Sequence, residues 1–180
     1  MSLEKFRSPL LMRLAALALL PWIGWPLGAR FRLLRDWDDY FSKQIAYNDE
    51  FKPTLEDGTE GKLVMKIAWV RRLASWIVML HAFVDLDGLE PSHTHQADFG
   101  IRIILFGGYD EEVLREDGSV ERLEWRKGDV GVIPAAFDHR MVAIRPEGAT
   151  SLWVRGPTRN PVRWTWPSGA FKVLLPDEMD

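Results

Sequence analysis

From Lys62 onward the chain is written in short runs of aliphatic, β-branched and aromatic residues, broken at close intervals by turn residues. KLVMKIAWV (62–70) and ASWIVMLHAFV (74–84) lead into the turn signal DLDG. FGIRIILFGGYDEEVLR (99–115) follows, then EDGS, VERLEWRKGDVGVIP (120–134), HRMVAI (139–144), the turn RPEG and TSLWVRGP (150–157). Strands with turn signals at this spacing predict an all-β sandwich or barrel. The chain before Lys62 is patterned differently. PLLMRLAALALLPWIGWPLGA (9–29) is apolar apart from Arg13, and Pro21 confines a continuous helix to residues 9–20. In RDWDDYFSKQIAYNDEFK (35–52), the spacing of Trp37 and Phe41 fits a short amphipathic helix, and KPTLEDGTEG reads as a loop. No repeat or low-complexity tract interrupts the pattern. The expected organisation is a helical, apolar segment over residues 1–55 and a β-domain over residues 56–180.

Composition narrows the chemistry. A chain of 180 residues that is 47% hydrophobic and 27% charged can bury a real core. Its net charge of -3 gives no basic field, so no nucleic-acid partner is expected. The absence of cysteine excludes disulfides, thiolate zinc sites and cysteine nucleophiles, and leaves His, Asp and Glu as metal ligands. Residues 9–29 approach the roughly 20 residues a membrane span needs. Basic residues flank the run on both sides (Lys5 and Arg7; Arg30, Arg32 and Arg35), so charge assigns no orientation, and no small-x-small cleavage site follows. Three readings stand: a helix packed on the domain, a homodimer interface, or membrane association through residues 9–29. The expected location is cytoplasmic, with or without that association.

The chemistry-bearing residues fall in two segments. GLEPSHTHQADFG (88–100) contains His93 and His95, which on a strand point to one face. GDVGVIPAAFDHRMVA (128–143) has a glycine turn, a short strand and a proline turn, a sequence that would return His139 toward that pair. Imidazole is a ligand for iron, zinc, copper and nickel. Asp98 is a candidate fourth ligand, although strict alternation from His95 turns it to the other face unless a bulge intervenes. Tyr109 is a candidate catalytic residue near the mouth of the cavity. His81 shares its phase with Met79 and Phe83 and is read as a core histidine, with the pocket as the alternative. Arg102, among aliphatics, is expected to pair with a carboxylate, and Arg140 to face away from the cavity. LFGGYD lacks the helix and lysine of a phosphate-binding loop, and no G-x-S-x-G elbow occurs, so phosphoryl transfer and serine hydrolysis are set aside.

In order and spacing these segments resemble the two motifs of the cupin superfamily, small jelly-roll barrels with a metal in the barrel mouth. Gly88, His93, His95 and Gly107 match the first motif, with the first gap one residue short. Gly128, Pro134 and His139 match the second, with Ala136 in place of its glycine and Ala143 in place of its asparagine. Phe99 and Gly100 stand where the family has its glutamate. Over about residues 76–175 the chain is also similar to a group of bacterial and phage cupin-like proteins with an H-x-H-x-x-D-F motif, here HTHQADF, for which no reaction is established. The resemblance implies a mainly β fold, a cupin-type double-stranded β-helix (jelly-roll barrel) preceded by an N-terminal helical segment. It further implies His93, His95 and His139 as ligands of a divalent metal, with Fe(II) favoured and Zn, Ni or Mn as alternatives. The function expected is a dioxygenase-type, three-histidine enzyme acting on a small molecule in the barrel mouth. The alternative is a non-catalytic metal- or ligand-binding module, tethered to a membrane or a partner by the N-terminal segment. A 2-oxoglutarate-dependent hydroxylase fits less well, because that class uses H-x-D and a later arginine; Arg145 and Arg155 are the available arginines.

Overall fold

The computed structural model describes residues 4–19, 36–43, 45, 47–73, 75–86, 91–157 and 160–175. Two long strands organise it: β6 (Phe99–Leu114) and β9 (Asp138–Arg155) pair antiparallel along nearly their whole length. Each runs through two layers. In the first layer, Gly100–Ile104 of β6 pair with Ser151–Arg155 of β9. This layer has the order β1-β8-β6-β9-β4-β3-β2, where β1 is Glu4–Arg7, β2 Asp49–Phe51, β3 Met65–Leu73, β4 Trp76–Phe83 and β8 Asp129–Pro134. In the second layer, Tyr109–Leu114 of β6 pair with Asp138–Ile144 of β9. There β7 (Val120–Arg126) flanks β6, while β5 (Ser92–His93) joins β9 to the hairpin of β10 (Val162–Thr165) and β11 (Phe171–Leu174). The result is mainly β and antiparallel, two sheets sharing two bent strands, with a helical segment before it. This is the jelly-roll class expected from the sequence.

The bend has a local cause. Between Gly107 and Tyr109 the register against β9 shifts, and four residues of β9, Arg145–Gly148, are accommodated there. Gly107 has φ +55°, and a Cβ on it would lie 1.8 Å from the carbonyl oxygen of Gly148. Only glycine permits that approach. RPEG, read from sequence as a turn between two strands, is therefore a bulge within one strand. A second shift, between Ile104 and Phe106, leaves one extra residue on β6 and reverses its side-chain phase, so that Leu105 and Phe106 both meet the outer cluster. Arg102 and Ile104 point between the sheets before it, and Tyr109, Glu111 and Val113 do so after it.

The residues between the sheets include Ile77, Met79, Ile104, Tyr109, Trp125, Ile133, Phe137 and Trp153. A second cluster lies on the outer face of the first layer, where Leu80, Ile103, Leu105, Val130 and Leu152 meet Met12, Phe41 and Ile45. Met12 belongs to α1 (Pro9–Leu19), and Phe41 to α2 (Trp37–Lys43). Ser8 caps α1, its Oγ accepting from the Leu11 N–H at 3.2 Å, and Pro9 occupies the first turn. An isolated helix of 11 residues is marginal in water, so α1 is held by packing rather than by propensity. α2 is pinned at both ends: the Trp37 indole donates to the Leu105 carbonyl at 2.5 Å, and Thr150 Oγ1 donates to the Phe41 carbonyl at 3.1 Å. The described residues of 1–55 thus include two helices on the outer face and two strands, β1 and β2, of the first layer itself. Among the described residues no helix is long and apolar enough to cross a membrane. Residues 20–29 of the apolar run, and Gly88 of the first motif, lie outside the described residues.

Candidate metal centre

His93 and His139 are direct partners across the β5–β9 pairing, which places their rings side by side, 4.7 Å between centroids. His95 lies beyond the end of β5, and its N–H donates to the Ala135 carbonyl at 3.0 Å. That bond ties the H-x-H segment to the turn between β8 and β9, so the proline turn fixes both His95 and the approach to His139. The three rings offer nitrogens that all lie within 4.8 Å of one another. His95 Nε2 and His139 Nε2 are 3.1 Å apart, a separation suited to two nitrogens each about 2.1 Å from one ion.

Glu111 fixes which nitrogen of His139 is presented. Its carboxylate is wholly buried, and Oε2 lies 2.7 Å from His139 Nδ1. The Arg102 guanidinium donates to the same oxygen at 2.8 Å, and the Trp125 indole donates to Oε1 at 2.5 Å. Burial alone would raise the Glu111 pKa, but the charge of Arg102, the neighbouring His139 ring and these hydrogen bonds hold it down, at about 2. An ionised carboxylate only accepts, so His139 Nδ1 carries the proton and donates, leaving Nε2 with its lone pair toward His95. Arg102 pairs with a carboxylate as its isolation among aliphatics predicts, and aromatic rings surround it: its guanidinium sits 4.9 Å from the Trp125 ring and 5.6 Å from the Trp153 ring.

The histidines open into a pocket of about 490 Å³ between the sheets. Its walls are largely apolar and aromatic, with Phe51, Phe83, Trp153 and Trp164 among them. His93 is pushed down to about 3, chiefly by burial and further by His139 and Arg102, and His95 is lowered for the same leading reason. Both are half-buried along the pocket wall. At neutral pH both are neutral imidazoles, the form that binds metals.

The other sequence-predicted residues separate. Asp98 is exposed and accepts a hydrogen bond from Asn160 Nδ2 at 3.2 Å. It stands apart from the three histidines, on the face to which alternation assigns it. His81 is not a core residue: it lines the pocket, with its pKa pushed down to about 3 by burial and by Arg102. Tyr109 is not at the mouth but deep, 1% exposed, and borders the same pocket. Arg140 faces away and pairs with Glu112 at 2.7 Å. Sequence reading missed Glu111 altogether. Its signal was an acidic run, DEE, in an otherwise apolar strand, in phase with Tyr109 and Val113.

No family model and no curated protein matches the sequence. Solved structures that resemble it include a variant of Bacillus subtilis oxalate decarboxylase and a study of the Mn(II) centres of that enzyme, each 19% identical with a TM-score of 0.41, covering 54% of this chain and 26% of that one. Another, on proton-coupled electron transfer in oxalate decarboxylase, has a TM-score of 0.42 at 19% identity and covers 54% of this chain and 27% of that one. The chain spans about a quarter of the length of those structures.

Proposed function

We propose that His93, His95 and His139 hold a divalent metal ion, and that the protein is a metal-dependent, cupin-like enzyme acting on a small, largely apolar molecule in the pocket beside it. The observation that carries this is the convergence of three imidazole nitrogens, with His139 held in the ligating tautomer by Glu111. Three neutral ligands leave coordination positions open, and Fe(II) is the metal favoured for such a set, with dioxygenase-type chemistry. When bound, the metal supplies Lewis acidity and, if redox-active, electrons for dioxygen. The chain does the rest. Glu111 fixes the His139 ring, and the aromatic walls exclude water and orient the substrate.

The test is elemental analysis of untagged protein and of the His93→Ala and His139→Ala variants. Near-stoichiometric metal is expected in the parent, with a large loss in both variants. Metal-free parent protein that fails to rebind Fe(II), Zn(II) or Ni(II) would sink the proposal. Oxygen uptake by Fe(II)-loaded protein, stimulated by a substrate, supports the oxygenase reading. Tightly held metal without turnover on a broad metabolite panel points to a binding module instead.

A further inference from the structure

Two polar side chains border the pocket without a well-formed hydrogen bond among the described residues. The Tyr109 hydroxyl is buried and makes no well-formed hydrogen bond among the described residues; its polar neighbour is the Arg102 guanidinium, 5.6 Å from the ring centroid. His81 has no hydrogen-bond or ion-pair partner for either ring nitrogen among the described residues, and its ring packs against Phe83 at 6.2 Å. Phe83 in turn meets the Tyr109 ring at 5.0 Å, so one apolar side chain connects the two polar ones. Buried hydroxyls are almost always satisfied in folded proteins, and one left open toward a cavity marks a ligand contact.

We infer that His81 and Tyr109 form a second polar pole of the pocket, which grips a hydroxyl or carbonyl oxygen of a flat, otherwise apolar ligand whose other oxygen function lies at the three histidines. This rests on the metal reading above and adds the substrate class to it. Tyr109 donates its O–H, and neutral His81 offers one donor and one acceptor, a set that complements a hydroxyl or carbonyl. Arg102, the cation beside Tyr109, is neutralised by its ion pair with Glu111, so the pole carries no net charge and suits a neutral oxygen better than a phosphate or carboxylate. The rings of Phe51, Trp153 and Trp164 suit the faces of an aromatic or unsaturated ligand.

The probes are the three dihydroxybenzenes, with phenol as the one-oxygen control, titrated by quenching of tryptophan fluorescence. Zn(II)-loaded and metal-free protein are compared, with zinc content measured separately. At least one dihydroxybenzene is expected to bind Zn(II)-loaded parent protein ten-fold or more tighter than phenol. Tyr109→Phe, which removes one oxygen, and His81→Leu are each expected to abolish that advantage while leaving zinc content within two-fold. No advantage over phenol in the parent, or an advantage retained in both variants, overturns the inference, because the pair is then merely hydrated. Should the parent take up no zinc, the metal reading fails by that measurement alone. The pole is then judged on metal-free protein by the same comparison of Tyr109→Phe with the parent.

Discussion

At the residue scale the centre of the site is a carboxylate that does two separable things. Glu111 orients His139, and it neutralises Arg102, which is 6% exposed in an interior without another acid bonded to it. Removing one partner of a buried pair leaves an uncompensated charge, a loss of about 3–5 kcal/mol, whereas replacing both with neutral groups is often close to neutral. Loss of a carboxylate behind a metal-binding histidine typically weakens metal affinity 10–100-fold. Glu111→Gln is therefore expected to lower both the unfolding free energy and the affinity for Zn(II), read by denaturant titration and chelator competition. The double variant Glu111→Gln with Arg102→Met separates the roles, recovering much of the stability while the weakened metal affinity persists. Recovery of both would show that Glu111 acts on the metal site only by keeping the fold intact. The three histidines were legible in the sequence because their spacing is local to each segment. The pairing of Glu111 with Arg102 was not, because a separation of nine residues along one regular strand puts them on opposite faces.

At the element scale that missed pairing comes from the bulge in β6. The reversal of phase after Ile104 lets one strand serve the inner face of both sheets, so Arg102 from one layer can meet Glu111 from the other. Gly107, just beyond it, was visible in the sequence as part of a motif, but its purpose is set by its neighbour across the sheet, Gly148, which also has a positive φ of +92°. Likewise, the strand Glu4–Arg7 shows no strand pattern of its own, being exposed along its whole length, and exists because β8 offers it an edge. Gly107→Ala is expected to be among the most destabilising single-methyl additions in the chain. Backbone atoms, not a flexible side chain, occupy the place of the new Cβ. A loss of about 3 kcal/mol or more is expected, against an effect within about 1 kcal/mol for Gly118→Ala, where φ is also positive (+80°) but no atom lies within 4 Å. Comparable losses at the two positions, by urea denaturation, would mean that positive φ alone sets the cost and that the close approach contributes nothing.

At the scale of the whole molecule, a cavity lined with neutral histidines makes the metal-free fold sensitive to acid. His81 and His93 have folded pKa values depressed to about 3 from an ordinary 6.5. Below pH 6.5 the unfolded chain takes up protons that the folded state refuses, so stability is fully present above 6.5 and falls as pH drops toward 3. Glu111 acts in the same direction over a lower window: with a folded value near 2 against an ordinary 4.5, its contribution is lost as pH falls from 4.5 through 2. Each fully shifted group contributes a slope of about 1.4 kcal/mol per pH unit inside its window. The half-buried positions of the two histidines reduce this, so a combined decline on the order of 1–2 kcal/mol per unit is expected between pH 6 and 4.5. Chelator-treated protein, unfolded in urea at a series of pH values, gives the curve, and His81→Leu is expected to make its slope shallower. Saturating Zn(II) stabilises the folded state by mass action at neutral pH, and protons compete with it for the same nitrogens. The metal-induced increase in stability should therefore shrink across the same acid range. A stability profile that is flat from pH 7 to 5 without metal would show that the histidines are solvated in the folded chain, and that the pocket is wetter than its aromatic walls imply.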